Sequence, residues 1–154
     1  MPEPLRTSSH NQHRGDRLKL QTLLGFDYGR RRIGIAVGQE VTRTATALCT
    51  VLSNNGAPDW GRLAELIAEW QPQALVVGLP YHADGSDSEM TRAARSFARQ
   101  LEQRFELPVH TMDERLSSRS AAALQQRSAP AAAAGKDAIA ARIILQDWLD
   151  TEQA

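Results

Sequence analysis

The chain has 154 residues, with 18 Lys+Arg against 18 Asp+Glu, 42% hydrophobic content and one cysteine. That length suits one domain whose core needs neither disulfides nor a structural metal, and the apolar fraction excludes a disordered chain. Formal neutrality excludes a bulk polycation, no apolar run approaches a membrane span, and a lone Cys49 with no signal-peptide pattern points to a cytoplasmic protein without a membrane partner.

Residues 1–19 are polar and aperiodic, with Pro2, Pro4, Ser8, Ser9 and Gly15, and read as a disordered N-terminal extension. A single domain is expected over 20–154. Leu23-Leu24-Gly25-Phe26 is the apolar run of a centrally buried strand and stops at Asp27-Tyr28-Gly29. After Arg30-Arg31-Arg32, the bulky residues Ile33, Ile35 and Val37 alternate with Gly34, Ala36 and Gly38. Such a strand has one bulky and one very small face, and the small face admits another element at close range. A third β-prone stretch over 44–51 follows at hairpin spacing. Asp59 is placed to cap a helix in which Leu63, Leu66, Ile67 and Trp70 recur at helical spacing until Pro72.

Ala74-Leu75-Val76-Val77 is a further buried strand, closed by Gly78-Leu79-Pro80. Beyond the turn Ala83-Asp84-Gly85-Ser86, a helix is predicted over about 88–105. Ala94, Phe97, Ala98, Leu101 and Phe105 form its apolar stripe, and Asp87 and Glu89 cap and charge its start. A short strand over 109–112 ends in Asp113-Glu114-Arg115. A helix from 117 or 118 to 126, a Pro/Ala-rich connection and a last helix over about 136–150 complete the chain. A meander followed by βαβ units implies a mixed, five-stranded α/β sheet, three strands antiparallel and two parallel, with helices on both faces.

The acids fall at element ends. Asp27 closes the first buried strand, Asp113 and Glu114 the last. Sites in such sheets gather beyond the carboxyl ends of parallel strands, so these groups can meet although distant in the chain. Asp137 shares a helical face with Ala141, Ile144 and Trp148, which puts its carboxylate at the top of a core-facing stripe. Carboxylates forced together repel unless a cation neutralises them, and oxygen ligands without His or Cys select Mg²⁺ or Mn²⁺ rather than zinc. A pair of such ions about 3.5–4 Å apart activates water and stabilises the leaving oxygen in phosphodiester cleavage.

Each acid also has an ordinary alternative. Asp27 is then a strand-to-turn residue, Asp113-Glu114-Arg115 a solvated charge cluster, and Asp137 the N-cap of the last helix. Their joint placement is what favours a site. His10, His13, His82 and His110 show no metal-ligand spacing, and Trp60, Trp70 and Trp148 stand at helical positions as packing residues. Lysine occurs only at Lys19 and Lys136, so the basic groups are nearly all Arg. That choice suits bidentate phosphate contacts, and a GC-rich genome produces it equally well.

Several segments together resemble the YqgF/RuvX family. They are Leu24-Gly25-Phe26-Asp27-Tyr28-Gly29, Arg32-Ile33-Gly34-Ile35-Ala36-Val37, Val77-Gly78-Leu79-Pro80 with Asp84-Gly85, Asp113-Glu114-Arg115-Leu116-Ser117, and Lys136-Asp137 with Ala140-Ala141 and Ile144-Leu145. The resemblance implies a ribonuclease H-like fold and processing of the 5′ end of pre-16S rRNA, in a family also described as Holliday junction resolvase-like. It implies Asp27, Glu114 and Asp137 as catalytic acids holding Mg²⁺ or Mn²⁺, with Asp113 beside Glu114 as a further metal ligand. Relatives carry more polar and basic residues where this chain has Ala129-Pro130-Ala131-Ala132-Ala133-Ala134-Gly135. Contacts to nucleic acid then fall to Arg30, Arg31, Arg32, Arg115, Arg119 and Lys136.

The sequence thus reads as a divalent-metal-dependent endonuclease for structured RNA, a monomer or weak homodimer. Two rivals stand beside it: a resolvase of four-way DNA junctions, and a non-catalytic nucleic-acid-binding factor. A phosphate-transferring ATPase is disfavoured, since Tyr28-Gly29-Arg30-Arg31 lacks the expected hydroxyl residues and the chain is too short for two lobes.

Overall fold

The computed structural model describes residues 21–117 and 135–153. The expected N-terminal extension, the helix from 117 or 118 to 126, the connection up to 134, and Arg119 lie outside the described residues. The strands are β1 (Thr22–Asp27), β2 (Arg32–Gln39), β3 (Thr44–Asn54), β4 (Ala57–Pro58), β5 (Ala74–Leu79) and β6 (Val109–Asp113). The helices are α1 (Trp60–Trp70), α2 (Glu89–Phe105) and α3 (Lys136–Gln153).

One sheet runs in the order β4-β3-β2-β1-β5-β6. β1, β2, β3 and β4 pair antiparallel, while β5 lies parallel to β1 and β6 parallel to β5. The meander and the two parallel strands match the expectation from sequence. The sixth strand does not. It is the two-residue β4, formed where the chain reverses at Asn55 and Gly56, both with positive φ (54° and 84°). Two residues are too short to leave a periodic signal. β3 also runs three residues further than the stretch ending at Val51, to Asn54, pairing its last residues with β4.

Period-two alternation divides the sheet into two cores. Leu24, Phe26, Ile33, Ile35, Val37, Leu75 and Val77 pack with Leu63 and Leu66 of α1 and Ala94, Phe97 and Leu101 of α2. On the other face Leu23, Ala36, Val76 and Met112 meet Ala141, Ile144, Leu145, Trp148 and Leu149 of α3. Around Phe97 the first core is aromatic: Phe26 lies edge-on at 5.7 Å, and Trp60 stacks at 5.8 Å with the Arg104 guanidinium 4.1 Å above it. Trp148 stacks on His110 at 5.0 Å in the second.

α3 sits tight against the sheet because the facing strand positions carry almost no side chain. A Cβ added at Gly25 would lie 2.8 Å from Leu145, and one at Gly38 2.9 Å from the same side chain. At Gly34 it would overlap the Asp137 carbonyl itself. Helix ends are fixed locally. The Asp59 side chain accepts the Arg62 N–H at 3.1 Å, and Gln71 closes α1 in the left-handed region ahead of Pro72. α2 is capped by Ser88 and not by its acidic neighbours: Ser88 and Thr91 satisfy one another in a capping box. Both hydroxyls also donate to the Pro80 carbonyl, at 2.8 and 2.6 Å, tying the helix to the end of β5.

Gly34→Ala should cost about 3 kcal/mol, because the clash is with backbone that no rotamer can relieve. Gly61→Ala, whose Cβ would meet Asp59 Oδ1 at an ordinary 3.5 Å, should stabilise by about 0.5 kcal/mol. Urea denaturation of the two variants measures both changes.

Candidate active site

Alternation places Asp27 on the same face as Leu23 and Gly25, under α3. It stands at the carboxyl end of β1, level with Gly34 of β2. Because Phe26 is level with Val77 of β5, the next residue of β5, Gly78, stands beside Asp27. Glu114 opens a 3₁₀ turn (Glu114–Ser117) directly after β6. Its Oε2 lies 2.6 Å from where a Gly78 Cβ would stand, so the carboxylate rests on bare strand backbone. The N-terminus of α3, seated on Gly34, brings Asp137 to the same end of the sheet.

The electrostatics follow from this crowding. Burial, then the charges of Glu114 and Asp137, push the Asp27 carboxyl up to about 7. Burial and then Asp113 raise Glu114. Asp113 differs. It follows Met112, which faces α3, so alternation turns it away. Arg115 donates to it from Nε at 3.1 and 3.2 Å, from Nη2 at 2.7 Å and from its backbone N–H at 2.9 Å. These bonds hold the Asp113 carboxyl below its usual range. Asp137 accepts from Arg32 Nε at 2.9 Å.

Among the described residues, no three Asp, Glu, His or Cys side chains are gathered closely enough to hold one metal ion. The donor chemistry nevertheless fits a hard divalent cation, since every acid offers carboxylate oxygen and partial burial disfavours the charged form of two of them. The charge of Glu114 weighs on Asp27 more than that of Asp137 does, and Asp137 accepts from Arg32.

The remaining sequence-named cations ring this end of the sheet. Arg30 pairs with Glu89 at 3.1 Å, exposed Arg31 lies between Arg30 and Arg32 in sequence, and exposed Lys136 begins α3. The Arg115 guanidinium lies 5.6 Å from the Tyr81 ring centre, and that of Arg95 lies 6.0 Å from the same ring. Asp87 binds Arg95 through both oxygens, at 2.9 and 3.2 Å. Tyr81 was not legible as a site neighbour. Its only signal is an aromatic residue directly after the strand-closing Pro80.

The family described as "RuvX: Holliday junction resolvase" matches residues 21–151. A Pseudomonas putida protein is 51% identical over 137 residues, covering 85% of this chain and 96% of its own length. One from Azotobacter vinelandii is 48% identical over 135 residues, covering 82% and 92%. Both are named, provisionally, pre-16S rRNA nuclease. Among solved structures, Thermus thermophilus RuvC in complex with a Holliday junction substrate aligns with TM-score 0.59 at 14% identity, over 87% of this chain and 96% of that one. A Fowlpox virus resolvase bound to junction DNA aligns with TM-score 0.50 at 8% identity, over 86% and 99%. The architecture is therefore of the ribonuclease H-like type.

A carboxyl that titrates at about 7 when folded and 3.8 when unfolded keeps its proton longer in the native state. Its contribution to stability is complete below pH 3.8, declines as pH rises towards 7 and is then lost, of order 4 kcal/mol in all. Asp27→Asn removes that decline. In EDTA, the variant's stability should gain on wild type from pH 4 to pH 8, as read by urea unfolding at each pH. Parallel profiles for the two proteins would contradict the assignment.

Proposed function

The chain belongs to the RuvX family, and from that premise we propose that it is a divalent-cation-dependent endonuclease of structured RNA. The observation that carries this reading is the pair of partly buried carboxylates, Asp27 and Glu114, gathered at the carboxyl ends of β1 and β6 across Gly78 of β5, with Asp137 close enough to act on Asp27. A structural ion pair would join opposite charges. Like charges crowded together, each resisting ionisation, are the arrangement a cation stabilises.

In this reading Asp27 and Glu114 hold the cation and Asp137 joins them. Asp113, bound by Arg115, positions the turn that carries Glu114. When bound, Mg²⁺ or Mn²⁺ supplies Lewis-acid stabilisation of the phosphoryl oxygens and lowers the pKa of water. The bare backbone at Gly78 keeps Glu114 close to the strand, and a side chain there would displace it. Arg30, Arg31, Arg115 and Lys136 offer phosphate contacts around the acids without reading base edges. Arg119, outside the described residues, belongs to the same proposed set.

The names of the relatives support precursor 16S rRNA as the substrate; cleavage at its 5′ end, in the cytoplasm, is part of the proposal. The family description supports four-way DNA junctions as the alternative. Among the described residues, no helix is long and apolar enough to cross a membrane.

Purified protein should cut precursor 16S rRNA in Mn²⁺ and not in EDTA, and leave a four-way DNA junction intact. Asp27→Asn should lower the rate more than ~100-fold, exceeding what loss of a mere ligand-supporting group costs, while nucleic-acid binding persists. Junction cleavage in place of RNA cleavage would move the protein to the resolvase reading. Salt-dependent binding with no metal-dependent cleavage of either would make it a binding factor.

A further inference from the structure

Arg32 belongs to β2, immediately before the strand positions that carry α3, and its ion pair differs from the other Arg–Asp pairs near the site. Arg115 and Arg95 each engage both carboxylate oxygens of their partners through two nitrogens. Arg32 reaches Asp137 through Nε, to one oxygen at 2.9 Å. That geometry forgoes the two-pronged fork that makes Arg–carboxylate pairs strong. The Arg32 side chain is 60% exposed against 30% for Asp137, so the guanidinium is the member of the pair that an incoming group meets.

Asp137 itself has little freedom except rotation of its side chain. Its backbone is seated on Gly34, where not even a methyl group fits. The carboxylate is near enough to Asp27 to raise that group's pKa, yet it is turned to Arg32. Arg32 also lines two adjoining clefts. One, about 590 Å³, is shared with Thr50, Gly135, Lys136 and Asp137. The other, about 450 Å³, is shared with Arg31, Asn54 and Asn55. A polyanionic strand lying along both would pass directly over the Arg32 guanidinium, with Lys136 on one side and Arg31 on the other.

We propose that Arg32 is a positioning residue that gates the acid site. In the free protein it holds the Asp137 carboxylate aside. A backbone phosphate in the clefts takes over the guanidinium, and Asp137 then turns to complete the cation site with Asp27 and Glu114. The proposal rests on the nuclease reading above and adds that nucleic acid and cation bind cooperatively. By thermodynamic reciprocity, each strengthens the other by the same factor.

The test is Mn²⁺ titration of the full chain by calorimetry, alone and with a structured 2′-O-methyl oligoribonucleotide that resists cleavage. Asp27→Asn serves as the blank for Mn²⁺ held by the oligonucleotide itself. Wild type should bind Mn²⁺ at least ~5-fold more tightly when the oligonucleotide is present. Arg32→Gln should reach that tighter affinity without nucleic acid and show no further gain. Arg32→Lys, which restores the charge, should return the affinity most of the way to that of free wild type. Arg31→Gln, removing a neighbouring charge that does not touch Asp137, should leave the Mn²⁺ affinity of the nucleic-acid-free protein at the wild-type value.

Unchanged Mn²⁺ affinity in Arg32→Gln, with binding still abolished by Asp27→Asn, would overturn the gate and leave the nuclease reading standing. An equal rise in Arg31→Gln and Arg32→Gln would also overturn it, reducing the effect to a general field. Mn²⁺ binding that Asp27→Asn does not alter would remove both the gate and the acid site.

Discussion

The structure depends on the absence of side chains along one stripe of the sheet. Gly25, Gly34, Gly38 and Gly78 all face α3, and at each a single added carbon would fall within 3 Å of a neighbour. Removing those carbons lets a helix and a carboxylate lie against strand backbone at distances ordinary side chains forbid. Two consequences follow from one constraint. α3 packs closely enough for Leu145, Trp148 and Leu149 to complete the second core, and its first turn delivers Asp137 to the end of β1. At Gly78 the same economy of volume admits the Glu114 carboxylate beside Ile144 of α3.

What the packing gathers, electrostatics resists. Asp27 and Glu114 are both partly buried and both harder to ionise than free carboxylates. The surrounding acids are treated differently. Asp113, Asp87, Glu89 and Asp137 each have an arginine within hydrogen-bonding range, so their charge is compensated by the protein itself. The contrast separates acids whose charge an arginine favours from acids that burial and neighbouring acids disfavour, and Asp137 belongs to the first group while its charge also acts on Asp27. Its arginine is the most exposed cation of these pairs and the one that borders both clefts.

The loop between β5 and α2 shows how the site end is kept in place. Ser88 and Thr91 both donate to the Pro80 carbonyl, Asp84 accepts from the Ser86 backbone and hydroxyl, and Arg115 reaches across to Gly85. Arg115 is at once the partner of Asp113 and a neighbour of Tyr81. The turn carrying Glu114 is therefore braced on the adjacent loop by contacts a helix or strand could not supply.

Much of this was legible beforehand because it rests on local periodicity. The bulky and bare faces of Ile33-Gly34-Ile35-Ala36-Val37-Gly38, the Asp59 cap and the strand-ending Asp27 depend on neighbours two to four positions away, and such spacing is written in the chain. β4 left no trace because two residues carry no period, and the acidic neighbours of Ser88 mask it as the cap of α2 although the chain carries Ser88-x-x-Thr91. The sequence alone determined that acids stand at the ends of buried strands and that one strand face is bare. Only the tertiary structure decided which distant acid meets which partner: the bare backbone at Gly78 lets Glu114 approach Asp27, while Arg32 of β2 takes Asp137 of α3. Those pairings join residues from separate elements, and the few ångströms that settle them are set by how closely the elements pack.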